Sequence, residues 1–79
     1  MDLKEGKYML TIIGKNVKRI INERNIKQKD AAALCGYSAK VFSNMLNGYL
    51  TIRDTDIINI KRGLNVDYNE LFEPRAESA

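Results

Sequence analysis

Residues 28–47 read QKDAAALCGYSAKVFSNMLN, and the fold turns on how this stretch is parsed. Ala31, Ala32, Leu34 and Cys35 make a short helical segment that Gly36 interrupts, and glycine reaches the positive φ that a sharp turn needs. Ser38 then offers a hydroxyl to cap a new helix. Phe42, Met45 and Leu46 follow at i, i+3 and i+4, and Asn47 with Gly48 forms a helix-ending pair. The spacing therefore predicts one helix starting at Lys27 or Gln28, a glycine turn, and a second helix from about Ala39 to Leu46. Two helices joined so tightly can cross steeply only if the crossing residues are small, and Ala32, four residues before Gly36, meets that need. With Phe42 and Met45 turned inward, Ala39, Lys40, Ser43, Asn44 and Asn47 are left pointing away. That outer row is short and rich in hydrogen-bonding groups.

Working outward, Ile13, Val17, Ile20, Ile21 and Arg24 recur at three and four, which predicts a helix over residues 11–24 that Asn25 stops. Residues 1–10 have no clean period and are read as an N-terminal arm, either loose or a short strand. Tyr49 to Arg53 reads as a loop with some β character. A fourth helix is expected from a cap at Asp54 or Thr55, with Ile57, Ile58, Ile60 and Leu64 on its buried side. Asp67 and Glu70 have the spacing of a capping box for a last short helix, whose Leu71 and Phe72 turn inward. Residues 74–79, from Pro74, should fray. The result is an all-α chain of five short helices, with one domain over residues 11–73.

The chain has 79 residues, 44% of them hydrophobic and 29% charged, the balance of an ordinary globular domain. One cysteine, Cys35, permits no internal disulfide, and without histidine there is no zinc-ligand set and no imidazole for acid-base work near neutral pH. No cofactor or metal is expected. No paired carboxylates, nucleophile-base set or phosphate-cradling glycine loop stands at usable spacing, so an enzyme is not expected. Cys35 is read as a small core residue in preference to a redox switch. The absence of a long apolar run or a secretory h-region predicts a cytoplasmic protein with no membrane association. Net charge is +3, but residues 1–29 hold eight Lys or Arg against Asp2, Glu5 and Glu23, whereas residues 30–79 hold five against seven acids. Such asymmetry suits a nucleic-acid footprint on one side, although a solvated helix face produces the same pattern. The scattered aromatics do not form a stacking platform for single strands.

Residues 28–47 resemble the lambda-repressor and Cro-like helix-turn-helix family, also called the xenobiotic-response-element family. The resemblance lies in Gln28, Ala32, Gly36, Phe42, Met45 and Asn47-Gly48, and extends more weakly over residues 11–73 through Val17, Ile57, Ile60, Leu64 and the ending Val66 to Phe72. Two departures stand out. Where the family often pairs an Arg late in helix 1 with a Glu near the end of helix 3, this chain has Ile21 and Leu46. Replacing both members of a buried ion pair with apolar residues is often neutral or stabilising, so the joint change is physically consistent. Lys61 stands where a small buried residue is usual, so helix 4 is rotated or Lys61 snorkels.

The resemblance implies a sequence-specific transcriptional regulator of double-stranded DNA, a repressor or Cro-like switch with helix 3 in the major groove. Base reading would fall to Ala39, Lys40, Ser43 and Asn44. Phosphate contacts would fall to Gln28 at the start of helix 2, flanked by Lys27 and Lys29, and to Asn47, Tyr49 and Arg53. A helix this short reads few base pairs, so a homodimer on paired half-sites is expected, its contact surface on helix 5, the C-terminal tail or the first ten residues. The alternative is an antitoxin-like or anti-repressor module that uses the same fold to bind a partner protein, and a regulatory partner is compatible with either function.

Overall fold

A computed structural model of the chain describes residues 3–74, with side chains described from Ile12. Five α-helices and no strands occur among them: α1 Leu3–Glu23, α2 Gln28–Cys35, α3 Ala39–Leu46, α4 Asp54–Leu64 and α5 Tyr68–Phe72. The all-α reading with five helices in that order holds, and residues 75–79 of the expected tail lie outside the described residues. The first helix is 21 residues long and starts well before Thr11. Residues 3–10, read as a loose arm or short strand, have a helical backbone. They contain no proline, and Leu, Lys, Glu and Met are good helix formers, so nothing stops the helix from extending backward past Gly6.

Apart from the start of α4, the predicted helix ends have the expected chemistry. Asn25 closes α1 at φ 57°. Gly36 sits at φ 88°, and the amides of Gly36 and Tyr37 donate to the carbonyls of Ala33 and Ala32, satisfying the last turn of α2. The Ser38 hydroxyl accepts from Val41 N at 3.2 Å, and Gly48 leaves α3 at φ 83°. At α5, Glu70 accepts from the backbone N–H of Asp67 at 3.1 Å, as the capping-box spacing predicts.

At α4 the expected cap is corrected. Arg53, not Asp54 or Thr55, is the N-cap residue, and its N–H donates to the Asp56 carboxylate at 2.9 Å. A long cationic side chain cannot accept a hydrogen bond, so the carboxylate three residues on satisfies the helix end instead.

Each helix sends residues into one core. Ile13 and Val17 of α1, Phe42 of α3, Ile60 of α4 and Leu71 of α5 are fully buried, with Ala31 and Ala32 of α2 beside them. Removing one such large side chain from water stabilises the fold by roughly 1.5–3 kcal/mol. Ile21 and Leu46 are both buried and apolar. Ile58 and Phe72, expected inside, are exposed. At 100° per residue, Ile57, Ile60 and Leu64 share a face that Ile58 cannot join, and in five-residue α5 Leu71 takes the inward position and Phe72 does not. Lys61 is half-buried with its Nζ 5.2 Å from the centre of the Tyr68 ring, so it snorkels onto an aromatic face.

Two glycines set how closely the helices approach. A Cβ on Gly14 of α1 would fall 3.1 Å from the carbonyl carbon of Leu46 in α3, and nearer still to its oxygen. A Cβ on Gly63 of α4 would lie 2.6 Å from the Leu34 oxygen and 2.8 Å from both Cα and Sγ of Cys35 in α2. Both obstacles include backbone, which cannot rotate aside. Between α1 and α5 the buried Asn16 amide donates to the carbonyls of Leu71 at 2.7 Å and Glu73 at 3.1 Å. The Arg24 guanidinium likewise donates to the Leu64 carbonyl at the end of α4.

Gly→Ala in a helix ordinarily stabilises by about 0.5–1 kcal/mol. Gly14→Ala is expected to do the opposite and lower unfolding free energy by about 2 kcal/mol, because the methyl has no room. Urea unfolding of Gly14→Ala and Gly63→Ala checks this, and neutral or stabilised variants would refute the close approach.

Burial pushes the Cys35 thiol up from 9.0 to about 11. The folded state therefore holds this proton more tightly than the unfolded state. Its contribution is full below pH 9.0 and is lost as the pH rises toward 11, by about 3 kcal/mol at 1.36 kcal/mol per unit. Stability curves of the wild type and Cys35→Ala should run parallel below pH 9.0 and converge or cross above it.

Candidate nucleic-acid interface

The outward side of α3 follows from which side is pinned inward. Phe42, Met45 and Leu46 are buried, so the opposite stripe falls at Lys40, Ser43, Asn44 and Asn47, spaced i, i+3, i+4 and i+7. Lys40 and Asn47 are exposed, and Ser43 and Asn44 are half-buried at the root of the stripe. Ala39 is exposed at the first turn. Val41, not among the expected site residues, is also exposed there and adds an apolar patch beside Lys40.

The expected phosphate residues occupy the flanks. Lys27 is the N-cap residue of α2 without a side-chain cap bond; Gln28 begins the helix, half-buried, and Lys29 is exposed. The first amides of a helix have no intrahelical acceptor and carry partial positive charge, so this end can hold an anion. Beyond α3, the amides of Tyr49 and Leu50 both donate to the Asn44 carbonyl, at 2.8 and 3.2 Å. The chain is thus folded tightly over the end of α3, and Tyr49 is left 79% exposed. Ile52 is buried and anchors this loop, which delivers the exposed Arg53 to the start of α4.

Two arrangements escaped the sequence reading. Lys18 of α1 donates through Nζ to Asn47 Oδ1 at 2.6 Å, and Asn47 Nδ2 donates to Ser43 Oγ at 3.3 Å. A cation from the first helix thereby joins the α3 stripe. Lys18 lies on the polar side of an amphipathic helix, and without the α1–α3 crossing nothing in its spacing distinguishes it from Lys15. In the second, the Tyr37 hydroxyl donates to Asp56 Oδ1 and accepts from Asn59 Nδ2 at 3.0 Å. Burial, first, and the neighbouring Asp56 push the Tyr37 phenol above its usual value. Its ring stacks on Phe42 with centroids 6.2 Å apart. The α2–α3 turn is in this way fixed to α4, and Asp56 also holds the Arg53 amide.

The structure brings Ser43, Asn47 and Lys18 into one hydrogen-bonded group and sets Lys40 and Asn44 beside it. Lys27, Gln28 and Lys29 belong to the far end of α2. Chemically the face offers donors and acceptors at the stripe and cations on its margins, a composition suited to a polar anionic ligand. Among the described residues no three His, Cys, Asp or Glu side chains cluster to hold a metal, and no helix is long and apolar enough to cross a membrane. Comparison of the chain with models of known families, with characterised proteins and with solved structures finds no match.

Proposed function

We propose that this protein is a sequence-specific regulator of transcription that binds double-stranded DNA with α3 in the major groove, as its resemblance to the lambda-repressor and Cro-like family implies. The observation that carries the reading is the stripe Lys40, Ser43, Asn44 and Asn47, mounted on a helix whose other side is locked into the core. A helix of this kind fits the groove, where each base pair presents its own pattern of donors and acceptors. Asn44 suits adenine N6 and N7, Lys40 suits guanine O6 and N7, and Ala39 suits a thymine methyl. Gln28 with the amides of the α2 N-terminus, Lys27 and Lys29 take one phosphate run, and Asn47, Tyr49 and Arg53 take another. The protein acts by occupying an operator, as repressor or switch, without catalysis, and is cytoplasmic.

Two copies on half-sites about one helical turn apart supply the specificity that eight residues of helix cannot. Tyr68 and Phe72, exposed on α5 with ring centroids 6.5 Å apart, support α5 as the contact between copies. The alternative of an antitoxin-like or anti-repressor module draws on Leu34 and Ile58, apolar side chains exposed on α2 and α4.

Binding to random duplex DNA, measured from about 50 mM salt upward, separates the two. The regulator should bind at low salt with an affinity that falls linearly in the logarithms, and no binding near 50 mM removes the reading. Asn44→Ala should lose about 1–3 kcal/mol on the preferred site only. Gln28→Ala should weaken binding to every sequence alike; a change in base preference would show that α2 does not face the backbone.

A further inference from the structure

We propose that Lys18 is a positioning residue that fixes the Asn47 amide and so makes the Ser43 hydroxyl a hydrogen-bond donor toward a base. This rests on α3 reading duplex DNA. An ammonium group has three donors and no acceptor, so the atom of Asn47 that it meets at 2.6 Å must be Oδ1. The amide can then take only one orientation, with Nδ2 turned to Ser43 Oγ at 3.3 Å. The serine oxygen accepts from Nδ2 and keeps its proton to give away. In the major groove that proton finds acceptors on guanine, adenine N7 or thymine O4, whereas cytosine presents only its N4 donor. With one lone pair filled, Ser43 therefore disfavours cytosine on the strand it faces, because cytosine can engage only the remaining lone pair and leaves the hydroxyl proton unpaired. Without Lys18 the amide can flip, present Oδ1 to Ser43 and draw the hydroxyl proton away from the groove.

Selection of bound duplexes from a random pool tests this with four proteins: wild type, Ser43→Ala, Lys18→Met and Lys18→Arg. Ser43→Ala should relax one position where the wild type rejects cytosine. Lys18→Met should relax the same position by about fivefold, the worth of one hydrogen bond. Lys18→Arg should keep the rejection, because a guanidinium also only donates. If Lys18→Met weakens all sequences equally, or if Ser43→Ala alters no single position, the positioning role is wrong. A readout in the free protein keeps the two levels apart. NMR signals of the Asn47 side-chain amide should move in Lys18→Met while core methyl signals stay, and unmoved Asn47 signals overturn the inference whatever the DNA result. Failure of the wild type to bind any duplex overturns the DNA reading itself.

Discussion

Backbone meeting backbone is the constraint on which the rest of this small protein depends. At Gly14 the first helix lies against the Leu46 carbonyl, and at Gly63 the fourth lies against Leu34 and Cys35. Helices this close cannot slide or roll without collision, so these two points fix two of the crossings that hold the turn, α1 on α3 and α4 on α2. Close approach adds dispersion contacts to those of the large buried side chains Ile13, Val17, Phe42, Ile60 and Leu71. Such contacts stabilise by dispersion and by excluding water from surface that larger residues would hold apart.

From that packing follows the rigidity of the α2–α3 unit. Its inner side is held by Phe42, Met45 and Leu46, and its turn is held from the flank, where the Tyr37 ring rests on Phe42 and its hydroxyl reaches Asp56. Asp56 spends its other oxygen on the amide of Arg53. One carboxylate thus ties together the turn before α3 and the loop after it. On the proposed function, a reading helix and the cation that flanks it keep a constant separation, a precondition for recognition in fixed register.

Local chemistry was legible in the sequence wherever one or two adjacent residues decide it. Asn25 and Gly36 take left-handed backbone, Ser38 caps α3 and Glu70 caps α5 because those outcomes depend on neighbours within a turn. Ile58 and Phe72 read as inward because an apolar residue next to a periodic set resembles a member of it, and only its angle around the axis excludes it. The start of α1 is not legible because residues 3–10 lack a periodic face, whereas adding turns to a helix already nucleated at residues 11–23 is cooperative and needs no such face. Gly14, Asn16 and Lys18 act across partners 29 to 57 residues away in the chain. No local pattern reports such pairings, and a glycine that permits a crossing is spelled like one that weakens a helix. In the candidate site, the α3 row was legible from the helical period, and its link to the first helix was not.

The Asn16 amide has a consequence for where the chain can be cut or joined. It is buried, and both its hydrogens end on carbonyls at and just beyond the last turn of α5, at Leu71 and Glu73. Those carbonyls are the ones a helix end leaves without internal partners, so the first helix closes the last one from the side. The end of the packed part is thus marked by an acceptor at Glu73 as well as by the apolar contact of Leu71. Shortening the chain to before Glu73 would take away one of the amide's two acceptors, whereas a chain kept through Pro74 retains both.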